Sequence, residues 1–176
     1  MDITLGQIDL VIMKNKIILT GPECSGKTTL CNQLKMYCKL PANKEFARSY
    51  LGKLNRKYVK KDLIFIAKKQ LESERNKVLL DTDLITIKIW SEYKYNQCNP
   101  WIIEQIAQQR SENRLYLVCK PDIPWEADSL RENPSNRAEL FEIYLSEIQN
   151  TKHPYFIIEG EERLEKALSK IQSFSI

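Results

Sequence analysis

Residues 17–31 read IILTGPECSGKTTLC. The first four are apolar or β-branched, the pattern of a short strand buried on both faces. They run into Gly21-Pro22-Glu23-Cys24-Ser25-Gly26-Lys27-Thr28, which fits GxxxxGK[ST], and the stretch from Lys27 to Cys38 reads as a helix. Strand, glycine-bounded loop and helix in this order make a cradle for phosphate. The glycines let backbone N–H groups face an anion, and the helix N-terminus adds its partial positive charge. Lys27 is placed to reach the β- and γ-phosphates of a nucleotide, and Thr28 to bind Mg²⁺.

Working outward, short apolar runs alternate with helical periodicity. Strands are expected at 16–20, 77–81, 115–120 and 155–160, and 43–48 is read as a short second strand or its exit. Helices are expected at 27–38, at 60–77 with Leu63, Ile66, Ala67 and Leu71 on one face, and through 84–96. A further helix follows Asn99 as N-cap and Pro100 as first residue. Another follows Asn136, with Glu139 at capping-box spacing, and a last one carries Leu164, Ala167, Leu168 and Ile171. Strand–helix alternation of this kind predicts an α/β fold with a mostly parallel sheet covered on both faces. Ligands then gather at the carboxyl ends of the strands. The proline-bearing segment 121–136 is long for a connection and is read as a functional loop.

Composition narrows the classes. The 176 residues are 43% hydrophobic and 28% charged, which suits one domain with a full core. A net charge of +4, dispersed along the chain, gives no basic stripe for nucleic acid. No apolar run is long enough for a membrane span. Five cysteines are scattered without a CxxC pair, and His153 is the single histidine, so no zinc site or disulfide framework is expected and a reducing, cytoplasmic setting fits. Residues 1–12 are set apart as an N-terminal extension with the alternation of an extra strand, and 13–176 as the single domain. Oligomeric state is not readable.

Asp81 closes the third strand, where the metal-holding acid of phosphate-loop proteins sits. A GTPase reading fails twice: Cys119-Lys-Pro-Asp122 lacks the guanine-reading side chain, and Asp81-Thr-Asp-Leu84 lacks the glycine. A regulatory or partner-binding ATPase stays open, although Thr82 stands where a water-activating Glu is usual. A small-molecule kinase must align a hydroxyl with the γ-phosphate and exclude water. For that task Glu45, Arg48 and Asp83 follow strands, and Arg131 and Arg137 flank or lie in the long loop. Aromatic faces are offered by Trp90, Tyr93 and Trp125. Spacing does not choose between Asp83 and Glu45 as the group acting on the hydroxyl proton.

The blocks GPECSGKTTL, EFARSYL, LLDTDLITIKIWSEYKYN and PDIPWEADSLRENPSNR together resemble the ribosylnicotinamide kinase domain of the NadR-type proteins. That domain is a P-loop NTPase of the nucleoside and nucleotide kinase type, within the AAA-type ATPase domains. The similarity runs in order from about Lys14 onward. It implies a five-stranded parallel sheet of order 2-3-1-4-5, with a lid after the fourth strand. The implied reaction is ATP-dependent phosphorylation of a nucleoside 5′-hydroxyl, converting nicotinamide riboside to nicotinamide mononucleotide in NAD salvage. The implied cofactors are ATP and Mg²⁺. ATP falls to Gly21, Glu23, Cys24, Ser25, Gly26, Lys27, Thr28, Thr29 and Arg137, and the metal to Thr28 and Asp81. Lys27, Asp83 and Arg131 take catalytic roles. Glu45, Arg48, Asp83, Trp90 and Trp125 face the nucleoside. With one histidine the chain lacks the two-histidine nucleotidyltransferase site of longer relatives, so the kinase step alone is implied. Another nucleoside as acceptor remains open.

Overall fold

The computed structural model describes residues 15–174. The expected N-terminal strand within residues 1–12 lies outside them. Four strands form one parallel sheet: β1 (Lys16–Thr20), β2 (Leu79–Asp81), β3 (Arg114–Cys119) and β4 (Tyr155–Ile158), in the order β2-β1-β3-β4. Among the described residues seven α-helices accompany them: α1 (Lys27–Cys38), α2 (Phe46–Leu51), α3 (Lys60–Ser73), α4 (Leu84–Tyr95), α5 (Pro100–Gln108), α6 (Arg137–Thr151) and α7 (Arg163–Phe174).

Side-chain alternation along the strands divides the core in two. Ile17, Leu19, Leu115 and Leu117 point to one face and pack under α1 and α7 with Leu30, Leu34 and Ile171. Ile18, Leu80, Tyr116 and Val118 point to the other and pack under α4 and α6 with Ile89, Leu140 and Ile148. Both faces being covered, the strand interiors are apolar, and the polar residues Lys16, Thr20, Asp81 and Arg114 stand at strand ends. A third cluster, with Leu63, Ile66, Leu84 and Ile102, joins α2, α3, α4 and α5 beside the sheet.

The expected fifth strand does not form. Residues 43–48 form no strand; an isolated parallel bridge from Ala42 to Leu79 comes just before them, and the chain then turns into α2. The cause is local. Asn43 N–H donates to the Leu79 carbonyl at 3.0 Å, but the next ladder position is filled by a side chain, because Asp81 N–H donates to Asn43 Oδ1 at 2.8 Å. Once the edge N–H is satisfied from Asn43, nothing draws the backbone further along β2. The order otherwise matches the one implied, with its second strand missing. Other boundaries move slightly: the helix expected over 60–77 ends at Ser73, and the strand expected over 77–81 begins at Leu79. Asn99 caps α5 by accepting from Trp101 N–H, as its position indicated. Asn136 makes no side-chain cap bond at α6, so that capping box is not built.

Between β2 and α4 lies a sharp turn. Thr82 has a φ of 69°, a strained choice for a β-branched residue. Asp83 next to it is fully buried and caps α4 through Ile85 N–H. Its other oxygen accepts from Tyr116 Oη at 2.7 Å and from Arg114 Nη1 at 3.4 Å. Arg114 is itself inaccessible to solvent and binds Glu74 through Nη2 at 2.8 Å. Burial pushes the Glu74 carboxyl up to about 7 against the pull of Arg114.

Removing this guanidinium leaves two buried carboxylates short of their shared cation. Arg114→Met is expected to cost about 3–5 kcal/mol of stability, read by urea unfolding. The deficit shrinks in mild acid, where Glu74 takes up a proton; a loss that is the same in acid and base would show that the carboxylates are not its source.

Candidate active site

The cradle grows from β1. Gly21 has a φ of 132°, and a Cβ there would lie 2.4 Å from the Cys119 carbonyl oxygen. Only glycine lets β1 leave the sheet this close to β3. Cys24 and Gly26 also have positive φ, which curls the loop around its N–H groups. Ser25 Oγ donates to the Pro22 carbonyl at 2.8 Å. Lys27 Nζ donates to the same carbonyl at 2.5 Å, so the lysine lies folded over the loop it serves.

A cavity of about 210 Å³ opens from the cradle toward α2, α4 and α6. The loop from Gly21 to Thr29 forms one side. Glu45 and Arg48 border it from α2, Thr86, Trp90 and Tyr93 from α4, and Arg131 from the lid. Two braces set α2 in place. Gln70 of α3 accepts from Phe46 N–H at 3.2 Å and donates to the Thr82 carbonyl at 3.1 Å. Asp62 of α3 takes Tyr50 Oη at 2.7 Å and both terminal nitrogens of Arg56. Burial raises the Glu45 carboxyl above its ordinary range, with Lys27 and Arg48 pulling it back.

The expected metal pair is adjacent. Asp81 is 4% exposed, and burial raises its carboxyl while the Thr28 hydroxyl, donating to it, draws it down. Its Oδ1 is buried with no hydrogen-bond partner. An orphaned carboxylate oxygen beside a hydroxyl suits a hard cation that takes its remaining ligands from phosphate and water. Among the described residues no group of three or more His, Cys, Asp and Glu offers an all-protein site.

Three expected positions lie away from this cavity. Asp83 does not reach the cavity, because Ile85 N–H, Tyr116 and Arg114 consume its oxygens in the core. Trp125 does not face the cavity either. Its ring is near the guanidinium groups of Arg131, 5.9 Å from the centroid, and Arg137, 5.5 Å away. Arg137 is likewise off the cavity and donates to the carbonyls of Cys24 at 3.1 Å and Ile123 at 3.0 Å. The two arginines and the tryptophan thus form a clamp that ties the segment after β3 to the phosphate loop. Arg131 also donates to Cys24 Sγ at 3.3 Å.

Several ties of the lid were not evident from the chain. Glu23 Oε2 accepts from Glu132 N–H at 2.9 Å and Asn133 N–H at 3.0 Å. Glu132 reaches across to Tyr58 Oη at 2.6 Å and Lys94 Nζ at 2.9 Å, while Arg48 pairs with Asp128. Trp90 Nε1 donates to Tyr58 Oη at 2.8 Å, which fixes the indole on the cavity wall. Thr86 and Tyr144, both lining the cavity, were also missed. The spacing Thr86, Ile89, Trp90, Tyr93 is a helical stripe that would have revealed Thr86.

A strand-cradle-helix unit on a parallel sheet flanked by helices is the architecture of P-loop NTPases. The chain matches the AAA domain family over residues 16–165 and belongs to it. No curated protein matches it in sequence. Among solved structures it is similar to the NadR protein in complex with NR, with a TM-score of 0.75, 19% identity, and coverage of 96% of this chain and 54% of that one. It is also similar to the deoxyadenosine kinase from M. mycoides with bound dCTP, with a TM-score of 0.60, 15% identity and coverage of 90% and 99%. A third is the YorR protein of Bacillus subtilis in complex with phosphorylated GDP, with a TM-score of 0.59, 19% identity and coverage of 90% and 95%. The chain spans about half the length of the NadR chains it matches. Among the described residues no helix is long and apolar enough to cross a membrane.

Removing the Glu23 carboxylate should free the lid. In Glu23→Ala, amide hydrogen exchange at Glu132 and Asn133 is expected to quicken at least about tenfold, the worth of one charge-assisted bond. Unchanged exchange would show that the arginine clamp holds the lid alone.

Proposed function

We propose that the protein transfers the γ-phosphate of ATP to the 5′-hydroxyl of a nucleoside, with nicotinamide riboside as the acceptor. The observation that carries this is the continuous cavity running from Lys27 past Glu45 to the aromatic wall of Trp90 and Tyr93. A hydrolase needs no such pocket beside its phosphate loop. A kinase needs one in which an acceptor lies in line with the γ-phosphate and water is kept out.

In this reading the loop from Gly21 to Thr29 holds the phosphates, and Lys27 swings from the Pro22 carbonyl onto the β- and γ-phosphates. Thr28 and Asp81 would hold Mg²⁺, which when bound offsets the charge on the phosphates. The acceptor oxygen forms the new P–O bond as the bond from the γ-phosphorus to the β–γ bridging oxygen breaks, and ADP leaves. Glu45 receives the hydroxyl proton. Asp83, enclosed in the core, supports the turn, and Arg131 approaches the γ-phosphate from the lid. Trp90 and Tyr93 present faces to the pyridinium ring of nicotinamide riboside. The likeness to NadR solved with NR favours that acceptor over other nucleosides. Arg48, held by Asp128, borders the same space.

ADP release with ATP, Mg²⁺ and a panel of nucleosides tests the reading. Nicotinamide riboside should accelerate it most. Acceleration by another nucleoside alone would change the acceptor, and none by any nucleoside would leave an ATPase. Lys27→Ala should lower kcat/KM about 100-fold or more.

The pH profile checks Glu45. A base acts deprotonated, and burial raises its pKa. Activity should therefore fall as pH drops through a value above the ordinary carboxylate range. Glu45→Gln should lower kcat and remove that limb; a limb that persists belongs to another group.

A further inference from the structure

The wall that α4 gives the cavity is graded. Thr86, Ile89, Trp90 and Tyr93 stand at i, i+3, i+4 and i+7 and all line it. From first to last the helix rises about 10 Å, comparable to the length of a nucleoside from its base to its 5′-carbon. The aromatic end suits a base. The other end is polar and lies nearest the cradle.

At that polar end α6 supplies Leu140 and Tyr144, one turn apart. Tyr144 is 6% exposed, and the Thr86 hydroxyl hydrogen-bonds to its phenol oxygen. Thr86 Oγ1 in turn lies 3.3 Å from Thr20 Oγ1, and Thr20 is sealed in the core at the end of β1. Three hydroxyls thus stand in series, and the last two line the cavity. Neither role already assigned uses them: in that reading the loop and Lys27 hold the phosphates, and Glu45 takes the proton. An acceptor oriented with its base on Trp90 and its 5′-hydroxyl at Glu45 carries its sugar ring past this pair.

We propose that Tyr144 and Thr86 hydrogen-bond a secondary hydroxyl of the acceptor sugar and so select ribonucleosides over their deoxy counterparts. This rests on the kinase reading and extends it to the sugar. An acceptor lacking that hydroxyl leaves the pair facing the cavity without its partner, and a site built around a hydroxyl rejects the analogue that lacks it.

The test compares kcat/KM for nicotinamide riboside, adenosine, guanosine, cytidine and uridine with that for their 2′-deoxy and 3′-deoxy forms. The wild-type chain, Tyr144→Phe and Thr86→Val are measured side by side. Wild type should prefer the ribose form about tenfold in one of the two deoxy series. Tyr144→Phe should bring that ratio below about threefold, the loss falling more heavily on ribosides. Thr86→Val should move it the same way, and decides the matter should Tyr144→Phe fail to fold. A wild-type preference for the deoxy sugar, or a ratio unmoved in the variants while all acceptors weaken alike, overturns the proposal. Turnover with an unmoved ratio sinks this inference alone, whereas wild-type protein that phosphorylates no nucleoside sinks the kinase reading and the inference with it.

Discussion

A guanidinium closed off from solvent holds the working edge of this molecule in place. Arg114 leaves the start of β3 and meets Asp83 and Glu74 in the core. Asp83 caps α4 directly after the strained Thr82, so the arginine fixes the turn that separates a metal-type carboxylate from a helix cap. On one side of that turn Asp81 is presented to Thr28. On the other, α4 starts in the orientation that brings Thr86, Trp90 and Tyr93 to the cavity. A buried ion pair is a poor source of net stability, because desolvation offsets most of the attraction. Its value here is geometric: one arrangement satisfies both carboxylates, and that arrangement aims the helix.

The phosphate loop was legible because it depends on nearest neighbours. Glycines at Gly21 and Gly26 and a lysine at the helix start need no distant information, and the close approach of Gly21 to Cys119 gives the physical reason for the first of them. The alternation of strands and helices was legible for a similar reason, since each element buries its own periodic face. The missing strand was not. Residues 43–48 carry little strand propensity of their own and were read as a strand from the alternation of elements; the Asn43 side chain, set against Asp81 N–H, takes the next ladder position instead.

Site residues divide along the same line. Glu45 and Arg48 lie at the start of α2 and Trp90 within α4, and the structure brings all three to one cavity. Asp83, two residues past Asp81, was expected to point toward the acceptor from an extended turn. The positive φ of Thr82 between them accompanies a carboxylate that faces the core instead. Trp125 and Arg137 were sorted by their presence in the lid, whereas their orientation depends on each other and on the Cys24 carbonyl. Lid contacts such as Glu23 with Glu132 join residues more than a hundred positions apart, and no local pattern encodes them.

The replacement of a strand by Asn43 also bears on how the protein behaves in a crowded solution. A sheet edge with a row of unpaired N–H and C=O groups is a template on which a second chain can add a strand and begin to aggregate. Here β2 is only three residues long. Its outer groups are taken by the Pro41 carbonyl, which accepts from Val78 and Leu79, by Asn43 N–H, which donates to Leu79, and by the Asn43 amide at Asp81. The segment therefore closes the edge without offering a new one, because α2 begins almost at once. What reads as a lost strand leaves the side of the sheet next to the site with no surface for strand addition, and so protects the fold against association there.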